Sequence, residues 1–539
     1  MFGYIKQYKM ILRKFYPYII IFVLAFFPRV LQPVSSPIQW YWRPLQFYHA
    51  ILTNNLANTF QSGHPGVTVM WISGFTETAY RKLTGFPESL YPMDQLPSYP
   101  IPSGAILSGI IPLIILISFG VCFSYFLLTK LINNKLAFIA AIFIALDPYY
   151  LYQSKVLHLD ATLANLMMLS ALSYLVFLKE KKRQYLIISA ILGGLAILTK
   201  TPAVFLVPFI GLSSLVFNWE NLRIGLKSRN LFSTVFKTLL PVLNWVFLAG
   251  FIFFLLFPAL WVSPITTLRK YFNLGVTVPA LTPHEFPNYF LGKSALLEIL
   301  GFKFYLFTAF IYNTPAAVIF PLVSIFYLVR KKFSKSSAKI IILFFSYCLF
   351  FLVMMSIAAK KGNRYLTPFF PIFSVISASG FYIFLEDIIK YFGKSQLKIK
   401  LIYAGAVFIL MLNFVPVLMK HPYYGTYFNP LTGGNKVADF VFSIGDQSEG
   451  VAEALSYIGE ISEVKNIKIG CDMPIYACTQ HTSAKIVSID DETADYLVFF
   501  RNKVVRGGNK KIWDKYKDKN PDKVIYFDDI PYVWVYKAL

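Results

Sequence analysis

About eleven long apolar stretches run from Tyr16 to Met419, and clusters of Lys and Arg fall in only every other gap between them. A helix needs roughly 20 apolar residues to cross the hydrocarbon, and loops rich in Lys and Arg stay in the cytoplasm. The basic gaps are the N-terminus (Lys6, Lys9, Arg13, Lys14), Lys130 to Lys135, Lys179 to Arg183, Arg223 to Lys237, Arg330 to Lys339 and Lys390 to Lys400. The intervening gaps carry most of the His, Trp, Pro and apolar-flanked acidic residues, so the chemistry is expected on the outer face.

Composition agrees with a membrane chain. The 539 residues are 56% hydrophobic and only 14% charged, too little charge for a soluble enzyme. The net charge of +24 does not call for nucleic acid, because loop Lys and Arg beside apolar spans explain most of it through topology and anionic lipid. The first span follows a basic stretch, as a signal peptide would. No small-residue cleavage site follows Phe26-Phe27-Pro28-Arg29, so it reads as an uncleaved span. Cys122 and Cys348 lie in apolar spans and read as packing residues. Cys471 and Cys478 lie in polar sequence and read equally as a disulfide or as free thiols.

The spans are expected near 16–31, 104–128, 136–149, 160–178, 184–199, 201–217, 238–262, 303–329, 340–358, 366–385 and 401–419. Residues 184 to 217 form one apolar run broken by Thr199-Lys200-Thr201-Pro202. Two short helices meeting at an outer Lys200 keep every later basic loop on one side, whereas a single span would reverse them. Two outer loops are long, 32–103 and 263–302, and the first includes an amphipathic stretch, Leu45 to Leu56, suited to lying at the interface. Residues 1–419 thus form a transmembrane domain. Residues 420–539 are expected as a small extracytoplasmic α/β domain, with strands at Asn466–Gly470, Asp495–Phe500, Lys523–Phe527 and Tyr532–Tyr536 and helices at Val451–Ile461 and Ile512–Lys519.

Four clusters carry candidate chemistry. Trp40-Tyr41-Trp42-Arg43 and Ser62-Gly63-His64-Pro65-Gly66, leading to Trp71, fit an interfacial aromatic belt. A sharper alternative is a lid that packs on sugar and prenyl surfaces, with Arg43 on a phosphate. His158-Leu159-Asp160 opens a span, where a carboxylate is costly unless paired. Asp160 can take a proton, hold a metal, or pair with Lys155 or Lys200. Lys360-Lys361-Gly362-Asn363-Arg364 is a dense basic patch on the side where topology does not demand one. It suits an anion such as a lipid phosphate, or lipid head groups in general. His284-Glu285 could serve acid–base or metal chemistry, or be loop polarity only. No cofactor is demanded, and a divalent metal stays open because the carboxylates are few.

Taken in order, Trp40–Arg43, His64–Trp71, His158–Asp160, Leu198–Ala203, Pro258–Val262, Lys360–Pro368, His421–Tyr424 and Asn429–Gly434 resemble bacterial members of the dolichyl-phosphate-mannose–protein mannosyltransferases, glycosyltransferase family 39 of the GT-C class. The resemblance implies a GT-C-like polytopic α-helical membrane protein of the plasma membrane with its active site outside. It implies a polyprenyl-phosphate sugar as donor, with mannose the expected hexose, and a protein or glycan acceptor. An outer-loop carboxylate would deprotonate the acceptor hydroxyl, which displaces the lipid phosphate with inversion. Cations would stabilise the leaving phosphate. Lys200, Lys360, Lys361 and Arg364 would fill that role. Trp40, Arg43, His64, Trp71 and Trp261 would contact substrate, and Asp160 fits the family's second acidic position. The usual first acidic position is Ser36 here, and no Asp or Glu precedes Glu77. Ser is no base near neutral pH. Asp160, His158, Glu285 or His64 is then left to act, or the chain is an impaired paralogue that binds lipid-linked sugar. A lipid-sugar transporter is a third reading, but the repeats expected of one are not found.

Overall fold

The computed structural model describes residues 2–32, 34, 40–85, 103–227, 230–284, 287–295, 300–461, 467–479 and 481–538. Six helices among them are long and apolar enough to cross a membrane: Gly104–Leu131, Asp160–Glu180, Leu231–Leu255, Lys335–Ile357, Phe369–Phe392 and Gln396–Leu418. Three bent pairs (Asn134–Ser154, Thr201–Lys227 and Lys303–Val329) bring the count to nine, and Phe15–Val30 and Arg183–Thr199 are shorter apolar helices. Each of the eleven expected stretches corresponds to one of these. The chain is a polytopic α-helical membrane protein with a small C-terminal sheet region.

Burial sorts the spans. Asp160–Glu180 is buried along its whole apolar window, whereas Leu231–Leu255 and Gln396–Leu418 are 22% buried. A helix apolar on every side and enclosed by others forms the centre of a bundle. The outer two expose residues such as Phe247, Phe251, Phe408 and Leu412, a surface suited to lipid. The central helix ends beside Lys179 and Lys182, in one of the basic gaps. Its other end, Asp160, lies about 30 Å away along the axis at 1.5 Å per residue.

The Lys200 corner has the expected form. Arg183–Thr199 ends, Lys200 is extended (φ −162°, ψ 143°), and a 3₁₀ turn, Thr201–Phe205, starts the next helix. Pro202 fits the first turn of that element and keeps Thr201 out of the preceding helix. The amphipathic stretch of the first loop is a helix over Trp42–Leu52. A second helix, Val67–Thr84, was not expected.

A hairpin, β1 (Asn288–Phe290) with β2 (Lys293–Ala295), precedes the C-terminal sheet of β3 (Lys468–Cys471), β4 (Lys485–Ser488), β5 (Tyr496–Phe500), β6 (Lys523–Phe527) and β7 (Ile530–Lys537). The order is β4-β3-β5-β7-β6, with β3 parallel to β4 and β5, and β7 antiparallel to β5 and β6. Both expected helices are present, at Val451–Ile461 and Lys510–Tyr516. The short β4 escaped the sequence. The sheet does not stand apart, since one apolar core runs from Tyr149 and Tyr312 through Phe442 to Val498 and Val533. Phe290 bridges Phe442, and Arg501 is paired with Asp439. Cys471 and Cys478 are joined as a disulfide, while Cys122 and Cys348 are free and buried.

Candidate functional site

Asp160 is the first residue of the central helix, where the helix dipole favours a negative charge. Its Oδ1 lies 2.5 Å from Lys200 Nζ, and the two side chains are 1% and 2% exposed. Its Oδ2 lies 2.9 Å from His158 Nδ1 and 3.8 Å from Arg364 Nε, with Arg364 27% exposed. Burial pushes His158 down to about 4, against the pull of Asp160, so the ring is neutral at neutral pH. One carboxylate then faces two cations, and a positive charge is left for an anion. Burial works against the charge on Arg364, but Tyr365, Asp160 and Asp446 outweigh it and raise its pKa. Lys200 Nζ also sits 4.5 Å from the Tyr365 ring centroid. Lys155, the other partner foreseen for Asp160, instead donates to the carbonyls of Pro28 and Leu31.

The first loop packs behind this cluster. Trp40 is buried, meets His158 edge to face at 6.2 Å, and carries Arg43 over its ring at 4.2 Å. Gly66 N donates to Thr199 O at 3.1 Å, and Thr68 Oγ1 donates to Leu195 O at 2.7 Å, which ties the loop to the Lys200 corner. Gly66 has φ +65°, and a Cβ there would stand 2.0 Å from Trp40, so both backbone and space require glycine. His64 Nδ1 is 3.3 Å from Thr201 Oγ1, and burial holds the ring well below its usual pKa. Trp71 donates to Leu256 O at 2.8 Å and packs on Phe47. Trp261 donates to Phe254 O at 2.9 Å and is 48% exposed. Trp40, Arg43, Trp71 and Trp261 line neither of the two cavities described next.

Two cavities meet at Tyr365. One is an apolar groove of about 400 Å³ between Phe205, Pro208, Phe272, Met354 and Ile357, with Lys200, Thr201, Lys360, His64 and Tyr365 as its polar residues. The other, of about 240 Å³, is polar and lies at the seam with the sheet region, where it takes in Arg364 and Asp446. Lys200 thus belongs to the groove and Arg364 to the seam cavity, while both face Asp160.

The basic patch divides. Lys360 lines the groove, and its backbone N–H donates to Pro279 O at 2.9 Å. Lys361 Nζ donates to the carbonyls of Met355 (3.2 Å), Ala358 (2.5 Å) and Ser356. Its ammonium is occupied by the open end of the Lys335–Ile357 helix, an arrangement that competes with holding phosphate. His284 Nε2 is 3.3 Å from Tyr365 Oη. Glu285 and Ser36 lie outside the described residues. Among the described residues no three of His, Cys, Asp or Glu come together as a metal cluster would. Asp446 was missed from sequence. Its loop is bracketed by Gly445 (φ +89°) and Gly450 (φ +86°), a sign of a tight turn that could have drawn notice.

Residues 101–261 match the family described as dolichyl-phosphate-mannose-protein mannosyltransferase. No curated protein matches the chain significantly. Among solved structures, the oligosaccharyltransferase AglB from Archaeoglobus fulgidus, in complex with an inhibitory peptide and a dolichol-phosphate, is 13% identical, with TM-score 0.47 over 94% of this chain and 72% of that one. ArnT from Cupriavidus metallidurans, bound to undecaprenyl phosphate, is 12% identical, with TM-score 0.45 over 96% of each chain. The stretch from Ile101 to Trp261, which carries His158, Asp160 and Lys200, is therefore similar to the dolichyl-phosphate-mannose-protein mannosyltransferases, the family that the ordered motifs of the whole chain resemble.

Proposed function

We propose that this chain is an integral-membrane glycosyltransferase that moves a sugar, with mannose the leading candidate, from a polyprenyl-phosphate donor to an acceptor hydroxyl outside the cytoplasm. One observation carries the reading: an apolar groove between the helical bundle and the 263–302 segment meets buried Lys200, with Lys360 and Tyr365 also lining it and Arg364 sharing Asp160 with Lys200. An isoprenoid tail suits the groove and a phosphate suits its cationic end. As the bond to the anomeric carbon breaks, negative charge grows on the phosphate oxygen, and cations already fixed by Asp160 stabilise it without reorganising. In this reading Asp160 orients Lys200, His158 and Arg364. A carboxylate 1% exposed and already shared among them is poorly suited to take the acceptor's proton. The membrane assigned is the plasma membrane, with the site outside, because Asp160 lies at the far end of its helix from Lys179 to Arg183.

The test uses the full chain in nanodiscs. Undecaprenyl phosphate should bind with micromolar or tighter affinity, and membranes of expressing cells should transfer labelled mannose from undecaprenyl-phosphate-mannose to endogenous acceptors. Absence of both ends the proposal. Binding without transfer of mannose or glucose would favour the impaired-paralogue reading, which rests on Ser36 at the usual acidic position.

A further inference from the structure

The donor reading leaves the acceptor's proton without a destination. The seam cavity offers one. One wall comes from the membrane bundle, including Arg364 and Tyr365, and the other from the C-terminal region, including Asp446 and Asn502. Asp446 is the one carboxylate among the described residues that line it. Glu449 nearby is 1% exposed, accepts from Gln447 N at 3.0 Å, and is pushed by burial up to about 7. Asp472 is also buried, pushed up to about 8, and does not line the cavity. Asp439 is paired with Arg501.

The fold explains why a ligand site would form here. Open sheets bind ligands beyond the carboxyl ends of parallel strands. β3 and β5 are parallel neighbours, and the residues just past their ends, Pro474 and then Asn502, Lys503 and Arg506, line the cavity. Asn502 Nδ2 donates to Asp446 Oδ1 at 2.8 Å and to Ser443 O at 3.1 Å, which fixes the carboxylate. Arg506 binds Ser443 Oγ at 3.1 Å and Asn288 Oδ1 at 3.0 Å, and so holds the loop to the hairpin. Asp446 is partly exposed, unlike Asp160. Its Oδ2 carries no hydrogen bond among the described residues, and Arg364 lies 3.8 Å from Asp160 and within the field of Asp446.

We infer that the seam cavity receives the acceptor and that Asp446 is the catalytic base that takes its hydroxyl proton. The inference rests on the donor reading above. The acceptor oxygen forms a bond to the anomeric carbon of the lipid-linked sugar. The bond from that carbon to the phosphate oxygen breaks, its electron pair leaves with polyprenyl phosphate, and the proton passes to Asp446. The C-terminal region is then part of the active site, and the missing acidic residue of the first loop is replaced from another part of the chain.

Asp446→Asn keeps the shape and an acceptor for Asn502. In the full chain it should lower mannose incorporation from undecaprenyl-phosphate-mannose at least ~100-fold, the usual range for loss of a general base, while undecaprenyl phosphate affinity and thermal midpoint stay within twofold and 2 °C, roughly, of the parent. Asp446→Glu should recover part of the rate. Incorporation within about threefold of the parent in Asp446→Asn overturns the inference and leaves the donor reading intact. Loss of phosphate binding along with incorporation also overturns it, since Asp446 would then be structural. A collapse confined to Glu285→Gln gives the proton to Glu285 instead. If the parent chain neither binds nor transfers, both readings fall together.

Discussion

Asp160 and Asp446 both act on Arg364 and differ in almost every property that decides what a carboxylate can do. Asp160 is 1% exposed and is held by Lys200 at 2.5 Å and His158 at 2.9 Å. Asp446 lines a cavity, and among the described residues its carboxylate accepts a single side-chain hydrogen bond, from Asn502. A buried carboxylate with cationic partners is an anchor: removing either side strands a charge in a low dielectric. A carboxylate with a free oxygen at a cavity wall can exchange protons. Two acids in one site are thereby separated into a fixed counter-charge and a reactive group by their surroundings alone.

The largest effect should come from Lys200→Met. It removes the buried cation of the groove and leaves Asp160 without its closest partner. We expect donor transfer to fall by at least ~100-fold, as for loss of a main oxyanion partner, together with several kcal/mol of stability, roughly 3–5 by analogy with broken buried pairs. Undecaprenyl phosphate binding and detergent melting would read the two effects. A variant that melts normally would break the anchor description of Asp160. Next in size is Asp160→Asn, which leaves Lys200 and Arg364 unneutralised. It should lower the melting midpoint and change phosphate affinity as well as rate. An Asp160→Asn enzyme with unchanged affinity and stability but no turnover would invert the comparison and make Asp160 the base.

How much of this was legible follows from where each signal resides. The membrane bundle was, because twenty apolar residues in a row have few other fates. The Lys200 corner was too, because Thr199-Lys200-Thr201-Pro202 interrupts such a run with a residue that cannot continue a helix. The Asp160–Lys200 contact stood among the alternatives because an acid at membrane depth needs a partner. The direction of Lys361 was not legible. Neighbouring lysines at 360 and 361 look alike in sequence, and only the end of the Lys335–Ile357 helix decides that one turns inward. Trp71 and Trp261 are expected substrate contacts; that each ring nitrogen is bound to a backbone carbonyl of the Leu231–Leu256 segment was not legible. Asp446 lay among many acids of a polar region, and its contact with Arg364's cavity depends on how the sheet docks.

A smaller effect is expected from Gly66→Ala. The φ of +65° and the 2.0 Å approach to Trp40 predict a loss of roughly 1–3 kcal/mol, the range for a strained backbone position, visible as a lower melting midpoint. Because Gly66 N binds Thr199 O, the Lys200 corner should loosen as well, and donor affinity should weaken by a fewfold. Full affinity in a destabilised variant would separate the first loop from the donor site and confine it to packing.

The smallest expected effect belongs to Lys361→Met and tests the division of the basic patch. Lys361 Nζ is bound to three carbonyls at the end of the Lys335–Ile357 helix. Hydrogen bonds from a charged donor are each worth about 1.5–3 kcal/mol, and the buried ammonium's own desolvation offsets much of that. Burial pushes this ammonium down to about 8, which is the sign of that cost. Met fills similar space without the charge, so the net loss should be near 1 kcal/mol, roughly one buried hydrogen bond, and the phosphate affinity should stay within about twofold. Lys360→Met, one residue away and facing the groove, should weaken undecaprenyl phosphate binding several-fold while leaving the melting midpoint unchanged. The pair of variants is more informative than either alone, because both remove one positive charge from the same loop and any long-range field effect is shared. If Lys361→Met proves the more damaging to affinity, its ammonium must leave the helix end when phosphate arrives, and the line drawn between anchoring and reacting groups would have to move.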